Sequence, residues 1–237
     1  MVEPFIQRHH HSVLIDCMID GKHVIFDFFD FEQIFPDDIR SCHSYFKFHY
    51  SEECRQYPNA FPFSPVNFHD WKEYYRIRKE INYRADGLIL NNQTPRNGAF
   101  ERRTHVQKML LSHYGSTNVS TKHYSQHEFF RLIDCALISV CVPGARNNML
   151  DRGQAQYMFL GACTISPRIV TRLSWDEPLI PNEHYLMCKD DYSDLIEKIE
   201  WVKSNKESAI QIGENAKSLF TKTSTPEKQL EWISSKI

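Results

Sequence analysis

A polar turn carrying Arg146, Asn147 and Asn148 follows an apolar, β-branched run, Leu137 to Val142, which stops at Pro143-Gly144. A helix-forming stretch leads from the turn to Gly161, and a second apolar run, Ala162 to Ser166, ends at Pro167. Strand, turn, helix and strand make the βαβ unit of a parallel sheet. The turn after its first strand opens on a crevice, where backbone N–H groups and a helix N-terminus hold anions. Arg146 adds a cation there and the two asparagines add amide donors, so the expected ligand is a phosphate, most naturally a nucleotide-linked one. Arg152 stands in the first helical turn, where the positive helix end repels it unless an anion lies alongside. A second polar segment, Asn91 to Gly98 followed by Glu101-Arg102-Arg103, also separates a strand from a helix. Arg96 and Arg102 are its candidate phosphate contacts. Arg103 is read as pairing with solvent or Glu101, and Asn97-Gly98 as a turn.

These loops need a sheet to hold them. From Asp86 onward short strands alternate with helices: Gly87 to Leu90, Ala99 to His113, Thr117 to Ser120, then Gln126 to Cys135, the last opened by Ser125 with Glu128 at capping-box spacing. Strands Leu137 to Val142, Ala162 to Ser166 and Tyr185 to Cys188 follow, with helices over 192–203, 206–220 and 226–235. Such alternation implies an α/β fold with a doubly wound, Rossmann-like parallel sheet. Asp190, Asp191 and Asp194 are expected to cap the helix near Tyr192. The front of the chain is richer in aromatics and proline. Val13 to Met18 and His23 to Phe28 read as a hairpin through Asp20-Gly21, and Tyr45 to Tyr50 as another strand. Tyr57 to Pro65, with three prolines, reads as irregular, and Asp70 to Ile81 as a helix. A boundary is drawn at 85: a small α/β part over 1–85 and a ligand-binding domain over 86–237.

Composition narrows the classes. The chain has 237 residues, a formal charge of −2, 41% hydrophobic and 24% charged residues. That is ordinary for a globular protein and gives no basic field for nonspecific nucleic-acid binding. No apolar stretch approaches the ~20 residues that span a bilayer, and residues 1–11 lack the apolar core of a signal peptide. The seven cysteines are odd in number and form no CxxC pair, which points to reduced thiols and a cytoplasmic setting. His9-His10-His11 could bind metal and is read instead as a solvated approach to the first strand. No GxGxxG follows a predicted strand, which argues against a dinucleotide-dependent dehydrogenase, and no phosphate-binding P-loop is present.

The segment Leu150 to Pro167 (LDRGQAQYMFLGACTISP) resembles the donor-binding motif of GT-B glycosyltransferases, in which a helix ending in a small residue or Gly leads to a short apolar strand and a proline. The sequel agrees in order: Pro181-Asn182-Glu183-His184-Tyr185, then Asp194-Leu195, then Ile212-Gly213-Glu214-Asn215-Ala216. The resemblance covers roughly residues 86–225. It implies a nucleotide-sugar donor as substrate, a hydroxyl acceptor (glycan or small molecule) and no separate cofactor; Asp190-Asp191 follows the last strand and not a nucleotide-binding one, so no essential metal is expected. It also implies that residues 1–85 are a reduced form of the family's acceptor-side domain. The family's helix carries a glutamate five residues before its terminal Gly to hold the donor ribose. Gln156 stands there, with Asp151 a substitute. His184 and Tyr185 enter a strand near the same cleft in that fold.

Sugar transfer needs cations or a helix N-terminus for the leaving diphosphate and, in an inverting enzyme, a base for the acceptor hydroxyl. The base candidates come from the front part: Asp27 and Asp30, which end an apolar strand where charges are unusual unless they face solvent or a cleft, and His49, which shares a strand face with Lys47. Asp16 is a weaker option. Two other functions fit the same residues: a nucleotide- or sugar-phosphate-binding module without catalysis, and one half of a split transferase. The sugar, the acceptor and the oligomeric state are left open by the sequence.

Overall fold

The computed structural model describes residues 2–3, 13–64, 76, 85–144 and 146–237. The His9-His10-His11 run lies outside the described residues, as does the helix expected over 70–81 apart from Arg76, which is helical. The chain forms two compact units: Met1–Pro65 with Val170–Pro178 and Lys222–Ile237, and Val66–Ile169 with Leu179–Thr221.

The first unit holds a mixed sheet of β1 (Val2–Glu3), β2 (Leu14–Ile19), β3 (Lys22–Asp27), β4 (Ser44–Lys47) and β5 (Ala60–Pro62), in that spatial order. β2 and β3 form the expected hairpin. Asp20 (φ 49°) and Gly21 (φ 76°) both take the left-handed backbone that an Asp-Gly two-residue turn favours. β3, β4 and β5 are parallel, joined by α1 (Pro36–Ser41), which has proline in its first turn, and by a 3-10 turn over Glu52–Gln56. The stretch expected to be irregular thus contributes β5. Its Pro62 is tolerated because β5 is the edge strand. Side chains alternate across β4: Tyr45 joins Leu14, Ile25 and Ile39 on one face, and Phe46 joins Val24, Phe63 and Trp232 on the other.

The second unit is a parallel sheet of β6 (Ala85–Leu90), β7 (Val119–Ser120), β8 (Ala136–Val140), β9 (Cys163–Ser166) and β10 (Leu186–Met187). The helices are α2 (Phe100–Tyr114), α3 (Gln126–Cys135), α4 (Arg152–Phe159), α5 (Leu195–Ser204) and α6 (Lys206–Thr223). The spatial order is β7-β6-β8-β9-β10, every pairing parallel. In chain order that is 2-1-3-4-5, a doubly wound sheet whose winding reverses between β6 and β8. β8 lies at the centre, and all five of its residues are buried, as its uninterrupted apolar sequence requires. The α3 capping box of Ser125 and Glu128 is present.

The helix expected from Tyr192 starts at Leu195, because Tyr192 turns left-handed (φ 61°). The aspartates around it brace that turn instead of capping: Asp194 Oδ1 accepts the Lys189 N–H at 2.8 Å and Asp191 Oδ1 the Ser193 N–H at 3.0 Å. The first unit is completed by a short hairpin, Arg172–Leu173 with Glu177–Pro178, and by α7 (Pro226–Ser235). Trp232 on α7 donates its indole N–H to the Pro62 carbonyl at 2.8 Å and packs in that unit's core. A single boundary at 85 misses these returning segments, since pairing between residues so far apart in the chain leaves no local signal. All seven cysteines are free, and Cys54, Cys141, Cys163 and Cys188 are buried.

Candidate functional site

At the switch point the chain leaves β6 and β8 in opposite directions, and a crevice opens outside their carboxyl ends. The two loops there, 91–97 and 141–151, are fastened together by polar side chains. Asn91 Nδ2 donates to the Val140 carbonyl at 2.9 Å. Gln93 Oε1 accepts the Val142 N–H at 2.5 Å, and its Nε2 meets Cys141 Sγ at 3.1 Å. Burial raises the Cys141 thiol well above its ordinary pKa, so it stays a neutral packing group.

Two arginines in the first turn of α2 extend the fastening, since helical side chains lean back toward the N-terminus. Arg103 Nε donates to the Val142 carbonyl at 3.0 Å, Nη1 to the Thr94 carbonyl at 2.9 Å and Nη2 to Asp151 Oδ2 at 3.0 Å. Its side chain is 8% exposed, which overturns the expectation that it pairs with solvent or Glu101. A guanidinium with five fixed donors is suited to tying three acceptors at once. Arg102 reaches the Gly144 carbonyl at 2.5 Å and the Gly98 carbonyl at 3.2 Å. Asp151 is both an anchor and a cap: its other oxygen accepts the Gly153 N–H at 2.8 Å at the start of α4.

Around this framework stand side chains of the kind a polar ligand needs. Asn91 Oδ1, Asn92 Oδ1, Arg102 Nε, Ser139 Oγ, Gln154 Nε2 and Ser166 Oγ are buried with no hydrogen-bond partner. They sit on β8, at the carboxyl ends of β6 and β9, and in the first turns of α2 and α4. Buried polar atoms are normally satisfied; six of the twelve such atoms among the described residues lie around this end of the sheet, where they offer polar groups to a ligand. Arg96, Arg146 and Arg152 are exposed, each on one of the three segments bordering the crevice. The arginines thus divide into two that face inward and hold the loops, and three that face solvent.

The other predicted residues are placed as follows. Asn148 is exposed on the β8 loop and Gln156 is half-buried on α4. Asn147 is a brace, donating to the Asp190 carbonyl at 2.9 Å and accepting from Tyr192 Oη at 2.7 Å. Tyr185 is buried, its hydroxyl accepting the Ile169 N–H at 3.0 Å, and His184 Nδ1 accepts the Ile180 N–H at 3.0 Å. Asp27, Asp30 and His49 belong to the first unit. Asp27 does not face solvent. It sits opposite Lys47 in the β3–β4 register, both are fully buried, and its carboxylate accepts from Lys47 Nζ at 2.8 Å, Tyr45 Oη at 2.6 Å and the Phe29 N–H at 2.7 Å. The face shared by Lys47 and His49 is likewise buried, because β4 is an inner strand covered on both sides. Burial lowers the Lys47 pKa, opposed by the Asp27 charge. Asp30 is exposed and lies 4.0 Å from His49. Among the described residues no three His, Cys, Asp or Glu side chains gather as a metal-ligating group, and no helix is long and apolar enough to cross a membrane.

Sequence reasoning missed Asn91, Gln93 and Arg103 as the framework of the crevice. The available signal was three consecutive amides, Asn91-Asn92-Gln93, directly after a strand.

No family model matches the sequence, and a comparison with curated proteins finds no match. Solved structures do resemble it. TarM superposes with a TM-score of 0.54 at 11% identity, covering 84% of this chain and 44% of TarM. Sucrose-phosphate synthase from Thermosynechococcus elongatus gives 0.53 at 12% identity, covering 86% and 61% of the two chains. HepE from Anabaena, in complex with UDP and glucose, gives 0.54 at 8% identity, covering 86% and 67%. The chain thus spans less than half the length of TarM. The likeness establishes the architecture: the chain has a GT-B-like α/β fold with a Rossmann-like parallel sheet.

Proposed function

We propose that the second unit takes the diphosphate of a nucleotide sugar into the crevice between the β6 and β8 loops, and that the protein is a metal-independent glycosyltransferase acting on a hydroxyl acceptor. The observation that carries this is the switch point itself: two polar loops cross-tied by Arg103 and bordered by Arg96, Arg146 and Arg152. As the glycosidic bond to the donor breaks, charge grows on the leaving diphosphate. Solvent-facing guanidinium groups and the N-terminus of α4 offset it, and the Arg103 ties hold the loops in one geometry while they do so. Gln156 and Asp151 supply amide and carboxylate groups for the ribose. Asp30 and His49, 4.0 Å apart within the first unit, are the base candidates to be tested by substitution. Because the HepE structure contains UDP and glucose, a uridine diphosphate sugar is the first donor to test. Free thiols support a reducing, cytoplasmic setting.

Calorimetric titration with UDP, GDP and their glucose conjugates tests the site. Micromolar to millimolar binding is expected, weakened at least tenfold by Arg146→Ala or Arg96→Ala, and absence of binding to all four refutes it. A second reading, a binding module without catalysis, is favoured by the complete engagement of Asp27 in the core and by Gln156 in place of a carboxylate. Donor hydrolysis or transfer above background by the wild type, lost in Asp30→Asn, decides for the enzyme.

A further inference from the structure

The second unit carries another recess, of about 520 Å³, between the edge strand β10 and helices α5 and α6. None of its lining residues belongs to the crevice loops. Leu186, which opens β10, lines it, as does Asn182, which lies before that strand. Trp201, near the end of α5, lines it and remains 37% exposed. An indole left open to solvent on a helix whose Leu195, Ile199 and Val202 are buried is not explained by the core.

The chemistry of the lining narrows the ligand. Asn182, Gln211 and Asn215 contribute carboxamides, and Glu197 and Lys198 contribute one charge of each sign. The carboxamides are ordered: Gln211 Nε2 donates to Asn215 Oδ1 at 2.8 Å, and Asn215 Nδ2 donates to the Glu183 carbonyl at 3.1 Å. Asn182 is held at φ 61°, with its N–H on the Tyr185 carbonyl at 2.7 Å. That left-handed backbone is one asparagine tolerates better than most residues. Balanced charge gives no field for a phosphate or an acidic chain. Leu186, Ile212 and Trp201 make most of the lining apolar, and the three amides set among them favour a ligand that carries hydrogen-bonding groups beside an apolar face. An aromatic face flanked by donors and acceptors at neutral charge complements a pyranose, whose C–H face packs on the ring while its hydroxyls meet the polar rim.

We propose that this recess binds a neutral saccharide unit, at a place separate from the donor crevice. The binding stands by itself. A role in tethering a glycan acceptor, by raising its local concentration, rests on the transferase reading. Saturation-transfer NMR on the whole chain with glucose, galactose, N-acetylglucosamine and maltotriose is the test, with inorganic phosphate and UDP as controls. At least one saccharide should receive saturation, lose it in Trp201→Ala and bind at least fivefold more weakly in Gln211→Ala. Both variants should keep the wild-type melting temperature within a few degrees and bind UDP as the wild type does. Silence from all four saccharides, survival of the signal in both variants, phosphate binding at the recess, or displacement of the saccharide by UDP would each overturn the proposal. Failure of UDP to bind would instead count against the donor crevice and leave the saccharide result standing.

Discussion

Replacing Arg103 by methionine keeps an unbranched side chain in the same space and removes every donor. Three acceptors then lose their partner: the carbonyls of Thr94 and Val142, and Asp151 Oδ2. Hydrogen bonds involving a charged group contribute about 1.5–3 kcal/mol each, and breaking a fully buried ion pair costs about 3–5 kcal/mol. The Asp151 side chain is 21% exposed, so water relieves part of that cost, and the loss should fall at roughly 3–4 kcal/mol. That is a large share of the ~5–15 kcal/mol that holds a typical domain folded. Asp151→Asn should cost less, because an amide oxygen can still accept the Gly153 N–H at the start of α4.

Urea denaturation of wild type, Arg103→Met, Asp151→Asn and the double variant closes a cycle whose coupling energy should be about 1–2 kcal/mol. Hydrogen exchange adds a local readout. The Val142 amide, bonded to Gln93 Oε1, should exchange faster in Arg103→Met, while amides of β2 and β3 should not change. A total loss below ~1 kcal/mol, within the range of an ordinary surface substitution, or a coupling indistinguishable from zero would show that Arg103 does not tie the two loops.

Three further outcomes are expected. A Cβ at Gly213 would stand 2.1 Å from the Gly161 carbonyl oxygen, so Gly213→Ala should cost about 1–3 kcal/mol despite alanine's better helix propensity; equal or higher stability by urea denaturation would contradict that helix approach. Asp27→Ala leaves the Lys47 ammonium and Tyr45 hydroxyl buried without their acceptor and should destabilise by about 3–5 kcal/mol, part of it recovered in Asp27→Ala/Lys47→Met; the same denaturation experiment checks both. The third concerns alkaline pH. Burial pushes Cys188 and Cys42 up to about 12 from the ordinary 9.0 and raises Cys17, Cys54 and Cys141 as well. The unfolded chain therefore gives up these protons first, and the stability they contribute is intact below pH 9 and lost as pH rises toward 12. Lys47, lowered by burial, works in the opposite sense below 10.5 but is one group against five. The melting temperature under reducing conditions should fall from pH 8 to pH 10, and a rise would contradict this.

The second unit was largely legible because its signals are local and agree with one another. Leu137 to Val142 is long enough in apolar, β-branched residues to require burial on both faces, and β8 is the central strand. The Ser125–Glu128 spacing specifies a helix start within four residues, and that start is observed. In the first unit the hairpin at Asp20-Gly21 was legible for the same reason. Asp27 was not. An acid ending a hydrophobic strand has no partner within its own strand, and the lysine that neutralises it comes from β4 through a parallel pairing. Pairings of that kind depend on which strands meet and have no fixed sequence spacing. Tyr192 shows a smaller version: helical periodicity extends through it, yet its hydroxyl bonds Asn147 across the fold, and the helix begins later.

The arginines around the crevice show why a site is harder to extract than the sheet that carries it. Arg96, Arg102, Arg103, Arg146 and Arg152 are equivalent by residue type and all fall near strand-to-helix turns, so type and position alone rank them poorly. What separates them is direction. Arg102 and Arg103 occupy neighbouring positions in the first turn of α2, where side chains lean back over the loop that precedes the helix, and there they meet carbonyls from the β8 loop. Arg96, Arg146 and Arg152 are exposed. Arg103, whose donors are met by two carbonyls and a carboxylate, has little left for a phosphate, whereas an exposed guanidinium stays within reach of one. The residue most needed for the shape of the crevice is thus one that need never touch what the crevice binds. Arg103→Met and Arg96→Ala should accordingly part company: the first lowers stability and loosens the loops, and the second, at an exposed position, leaves stability within about 0.5 kcal/mol while weakening nucleotide binding.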